Sequence, residues 1–179
     1  MNERYTTTAI ALHWLMAVLL AGLFALGLYM SDLHLSPLKL KLYSWHKWAG
    51  VTAFLLVLVR LAWRAAHRPP ALPSSMSPWM QRAAHAGHAS LYLLMIAIPL
   101  SGWLMSSALG VPTVYFGLWQ LPDLVAKNKE LADALQEIHE WLNWLLAAAV
   151  AGHVAAAFKH QLVDKDGVLT RMLPHRRTA

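Results

Sequence analysis

The chain has 179 residues, of which 58% are hydrophobic and 13% charged; its net charge is +6, its mean hydropathy +0.41, and it has no cysteine. A soluble domain carries about a quarter of its residues as charges, so this composition argues against one. The lack of cysteine excludes disulfides, thiolate-held iron–sulfur clusters and covalently attached c-type haem.

The missing charge is concentrated in four apolar runs, roughly residues 9–29, 45–63, 88–107 and 138–158. Each approaches or exceeds the ~20 residues a helix needs to cross the hydrocarbon core. The pattern predicts an all-α integral membrane four-helix bundle, a single domain over residues 1–179 with no room for a separate soluble unit. The first run is longer than a signal-peptide core, lacks a clean small-x-small cleavage site and contains His13 and Trp14, so it reads as a retained span.

The second run opens on "WHKWAG" with His46 and closes on "VRLAWR" with Arg60. Proline and serine in "AAHRPPALPSSMSPWMQRAAHAGH" predict an irregular connection to the third run, which His85 and His88 introduce. After it, residues 110–134 form the longest connection; its aromatic, proline-broken "VPTVYFGLWQLP" suits the membrane interface, where Trp and Tyr are favoured. "DLVAKNKELADALQEIHEWL" then reads as an amphipathic approach to the fourth run.

Four spans place both termini on one side, with the 64–88 connection. That side holds Arg4, Arg60, Arg64, Arg68, Arg82, Lys159, Lys165, Arg171, Arg176 and Arg177, and the opposite side holds Lys39, Lys41, Lys47, Lys127 and Lys129. The positive-inside rule then predicts cytoplasmic termini in a bacterial inner membrane. The basic residues flank spans, so membrane lipid is the expected neighbour and nucleic acid is not a partner.

Ten histidines remain to be explained. An ionisable group inside a span is costly and marks function by default; the alternative is a hydrogen bond between neighbouring helices. His139 and His153 lie fourteen residues apart, about 21 Å along one helix and about 40° from a common face. Helix direction puts His46 level with His139 near the periplasmic surface and His13 level with His153 near the cytoplasmic one. Bis-histidine ligation of two b-type haems stacked across the membrane accounts for this pattern. Gly50, Ala149, Gly152 and Ala156 would let a flat macrocycle approach, and are equally ordinary packing residues.

Arg60, again fourteen residues after His46, either partners a haem propionate or snorkels to the interface. His160, two turns beyond His153, stands at the cytoplasmic edge, where it either contacts a quinone or is simply an interfacial residue. His85 and His88 replace His13 as ligands only if the third helix takes the place of the first.

These residues resemble the bacterial cytochrome b561 family. The resemblance is carried by "ALHWLMA", "WHKWAG", "VRLAWR", "AHAGHASLYLLMIAIPLSGW" and "IHEWLNW…AGHVAAAFKH", and it covers nearly the whole chain. It implies a four-helix di-haem b cytochrome with His13, His46, His139 and His153 as axial ligands and ubiquinone as electron acceptor. Among members, the compact superoxide oxidase type is most similar, with "KHQLVDKDGVLTRMLPHRR" placing His160 at the suggested quinone contact. That implies an oxidoreductase that moves single electrons from superoxide, or another small periplasmic donor, to the quinone pool. Lys39, Lys41 and Lys47 would draw in an anion there, while Glu137 and Glu140 would oppose it. The other implied role is a haem-b anchor subunit serving a partner dehydrogenase or hydrogenase.

Overall fold

The computed structural model describes residues 4–73 and 75–174; Arg176 and Arg177, counted in the charge asymmetry, lie outside them. Four long helices dominate: α1 (Thr7–Ser31), α2 (Pro37–Ala66), α3 (Pro78–Leu109) and α4 (Lys129–Lys159). All four are long and apolar enough to cross a membrane, and no more than 17% of any spanning stretch is buried within the protein. The remaining apolar surface is therefore left for lipid, as a membrane bundle requires.

Three helices begin well before their apolar runs, for a local reason. Ser36 and Ser77 each accept a hydrogen bond from the backbone three residues on, and Pro37 and Pro78 occupy the first turn. Asn128 does the same for α4 by accepting from the Leu131 amide at 3.0 Å. Side-chain caps and an N-terminal proline satisfy or remove the free amides of a helix start, so helix continues into polar sequence that hydropathy alone assigns to connections. The irregular link between α2 and α3 shrinks accordingly. Gly110, at φ 70°, ends α3 in the left-handed conformation.

The α3–α4 connection contains a small antiparallel hairpin, Val114–Tyr115 paired with Trp119–Gln120. Its turn passes through Phe116 and Gly117 at positive φ. α2 grips it: Trp48 Nε1 donates to the Val114 carbonyl at 2.6 Å, Lys47 Nζ to the Val111 carbonyl at 3.1 Å, and Thr52 meets the Tyr115 hydroxyl at 2.9 Å. Ala108, Ala132 and Leu135 form a buried cluster between α3 and α4 at this end.

α3 packs most extensively on α4, and α1 on α2. Beyond α4 the chain makes a π-helical turn, His160–Asp164, then a 3-10 turn, Leu169–Met172. That tail folds back on α1 and the residues before it: Trp14 Nε1 donates to the Met172 carbonyl and Arg4 to the Leu173 carbonyl, each at 2.8 Å. The molecule thus has a hairpin end and a termini end.

Candidate functional site

Near the hairpin end, α2 carries His46 and α4 carries His139, with ring centroids 6.4 Å apart. A cavity of about 60 Å³ surrounds them, lined from all four helices by residues that include Phe24, Gly50, Pro99 and Leu146. Its walls are otherwise apolar apart from Asn143, whose side-chain amide turns away to the His139 carbonyl at 2.7 Å. His46 Nδ1 is buried with no hydrogen-bond partner. A buried, unpartnered imidazole nitrogen is costly, which suits a site meant to hold something else.

His139 is tied down. Its Nδ1 lies 3.1 Å from the Ile98 carbonyl and 2.9 Å from Ser101 Oγ. A carbonyl only accepts, so Nδ1 carries the proton and Nε2 keeps a free lone pair. Glycine makes room on both sides. A Cβ on Gly102 would fall 3.2 Å from His139 Cε1, and one on Gly27 would fall 3.5 Å from His46 Cε1.

Toward the termini end, His13 of α1 and His153 of α4 have ring centroids 6.2 Å apart. His88 of α3 approaches His153 as well, at 5.6 Å. The sequence reading admitted His88 only if α3 displaced α1; here both helices bring an imidazole to His153. His85, one turn earlier on α3, is exposed. Arg60 reaches this level: its guanidinium donates to His13 Nδ1 at 3.2 Å and to the Tyr92 hydroxyl at 3.0 Å. Since a guanidinium cannot accept, His13 Nδ1 is unprotonated in this arrangement, the opposite of His139. Beside it opens a cavity of about 530 Å³ lined by Arg4, Arg60, Arg64 and Arg68 and, among the described residues, by no carboxylate.

His160 is held more closely than a simple continuation of the helix implies. It continues α4, its amide bonding the Ala156 carbonyl, and the π-helical turn that starts at it folds two carboxylates over its ring: His160 is 8% exposed, and its Nδ1 meets Asp166 Oδ2 at 2.7 Å and Asp164 Oδ2 at 3.1 Å. Lys159 pairs with Asp164 at 2.6 Å. Tyr92, Ser101 and Asp166 stand at no periodic spacing from their partners and were not legible in the sequence, whereas Asp164, four residues after His160, stood at a helical spacing that could have shown it. Three of the lysines of the opposite end are partly engaged: Lys39 Nζ donates to the Leu33 carbonyl at 2.6 Å, Lys47 to Val111, and Lys41 lies over the Trp45 ring at 5.0 Å.

The donor set fits haem. Two metal–nitrogen bonds of about 2 Å, extended by the inner half of each imidazole, separate ring centroids by about 6 Å, and the His46–His139 and His13–His153 pairs stand at 6.4 and 6.2 Å. At His13 the fit has a condition. Binding through Nε2 puts the proton on Nδ1, so Arg60 must leave that atom.

Paired imidazoles inside an apolar transmembrane bundle are the arrangement that a membrane-bound b-type cytochrome requires. The sequence profile described as prokaryotic cytochrome b561 matches residues 4–175. "Cytochrome b561 homolog 2" of Escherichia coli strain K12 is 39% identical over 178 residues, covering 96% of this chain and 92% of that protein. "Probable superoxide oxidase CybB" of Yersinia pestis is 31% identical over 182 residues, 99% of each chain. "Cytochrome b561 homolog 1" of E. coli K12 is 28% identical over 180 residues, covering 98% of this chain and 99% of that one. The chain belongs to the prokaryotic cytochrome b561 family, and is a multi-pass bacterial membrane protein that carries b-type haem in electron transfer.

Proposed function

We propose that this protein is a di-haem b oxidoreductase that passes single electrons from a periplasmic donor, superoxide, to ubiquinone on the cytoplasmic side. The observation that carries this reading is the pair of facing imidazole couples, His46–His139 and His13–His153, separated by about 21 Å along α4. Two bis-histidine haems at these levels supply one-electron relays across the apolar core. The charge asymmetry of the chain supports cytoplasmic termini, which puts the hairpin end at the periplasm.

The chain's own residues take these roles. His46 and His139 hold one haem, and His13 and His153 the other. Arg60, freed from His13 Nδ1, neutralises a propionate of the cytoplasmic haem, and the arginine-lined cavity beside it suits an anionic group. His160 meets the quinone through the nitrogen not engaged by Asp166, and its carboxylate partners orient the ring and hold a proton at Nδ1.

Superoxide is the donor by similarity to the Yersinia pestis relative named "Probable superoxide oxidase CybB". The test is a visible spectrum with a haem-to-protein ratio, followed by quinone reduction with superoxide as sole reductant. Two b-type haems per chain and quinol formation without a partner protein are expected. One haem overturns the pairing. Two haems with no superoxide-driven turnover point to a subunit serving a partner dehydrogenase or hydrogenase.

A further inference from the structure

The four histidines proposed as ligands differ in what holds their second nitrogen. His46 Nδ1 has no partner, and His13 Nδ1 faces the Arg60 cation. His139 Nδ1 alone among these three faces two acceptors. The Ser101 hydroxyl donates to the Ile98 carbonyl at 2.8 Å, which commits its hydrogen and leaves its oxygen free to accept from His139.

We propose that Ser101, together with the Ile98 carbonyl, is a positioning residue that fixes His139 and thereby sets the midpoint potential of the haem it holds. The proposal rests on the reading of His139 as a haem ligand. Hydrogen bonds accepted from the remote N–H of a ligating imidazole orient the ring and raise its basicity. A more basic imidazole stabilises ferric over ferrous iron, so this unit lowers the potential of the hairpin-end haem.

α3 is built to deliver both acceptors to one point. Pro99 lies between them and, lacking an amide, leaves the Met95 carbonyl one turn earlier without its helix donor. Gly102 follows directly, and its missing side chain lets the imidazole lie against the α3 backbone. Ser101 is 6% exposed, so water does not compete for its oxygen. Serine bonding to a carbonyl one turn back is common in helices and needs no function. The added contact to a proposed ligand at 2.9 Å is what distinguishes this one.

The experiment is an anaerobic redox titration of the detergent-solubilised holoprotein, with haem content measured in parallel. In Ser101→Ala both haems are expected to stay. One midpoint should rise, its ferric-over-ferrous preference falling about three- to tenfold, where tenfold is 59 mV for a one-electron couple. The other midpoint should not move, and Ser101→Thr, which keeps the hydroxyl, should restore the first. Both haems present with both midpoints unchanged in Ser101→Ala overturns the proposal. Should that variant lose a haem, Ser101→Thr decides: recovery with wild-type midpoints assigns the effect to the hydroxyl, and continued loss assigns it to packing and overturns the proposal. His139→Ala tests the underlying reading separately. Loss of one haem upholds the ligand whatever Ser101 shows, and retention of both removes it.

Discussion

His153 is approached by two imidazoles, and that competition is the sharpest question at the level of single residues. His88 is nearer by ring centroid, 5.6 Å against 6.2 Å for His13. Distance alone therefore does not choose, and the surroundings must. His13 is the ring that Arg60 touches, on the side where the arginine-lined cavity opens, so a haem held there would have a cation in reach of its acidic groups. His13→Ala is expected to halve the haem-to-protein ratio, and His88→Ala to leave it at two, as read by pyridine haemochrome assay. The reverse result transfers the ligand to α3. The positions of these rings were legible from depth and helical period, since α1, α2 and α4 each carry a histidine where the argument needed one. The sequence did not reveal that His88 converges on the same partner. It also hid the burial of His160, because that burial comes from the irregular turn after the helix, which folds Asp164 and Asp166 back onto the ring and has no period to read.

Among elements, the hairpin behaves as a plug clamped to α2. Two residues per strand cannot be stable alone, so the bonds from Trp48, Lys47 and Thr52 must hold it. Thr52 donates its own hydrogen to the Trp48 carbonyl at 2.9 Å and so accepts from Tyr115, linking both clamps. Trp48→Phe keeps the aromatic bulk and removes the 2.6 Å bond to Val114. The loss should cost about 1 kcal/mol and lower the melting temperature by about 2–4 °C, followed by haem absorbance on heating. An unchanged melt would mean the strands are held by packing alone. A neighbouring test concerns space. Gly102→Val puts branched carbon where even a Cβ lies 3.2 Å from His139, and should release the hairpin-end haem while the other stays. The four helices were readable from hydropathy because lipid imposes one simple demand on them. Their true starts at Pro37, Pro78 and Lys129 were not, because caps act through single hydrogen bonds that a hydropathy average does not register. The hairpin was equally hidden, its aromatic residues pointing to the interface without indicating a strand.

For the whole molecule, orientation decides what the electron path connects. An even number of spans puts the termini together and the hairpin opposite, whichever way the protein inserts. The proposed direction, from superoxide outside to quinone near His160 inside, holds only with the hairpin end at the periplasm. The chain's lack of cysteine makes this directly measurable. Leu118 at the hairpin tip is 91% exposed, and Arg68 lies in the short α2–α3 connection at the other end, so neither Leu118→Cys nor Arg68→Cys should disturb the bundle. In intact cells with a permeable outer membrane, an impermeant maleimide should label Leu118→Cys, and should label Arg68→Cys only after the inner membrane is opened. The inverse pattern would put His160 at the periplasm and His46 at the cytoplasm. Superoxide generated outside would then meet the arginine-rich end first, and the donor and acceptor assigned to the two haem levels would have to be exchanged.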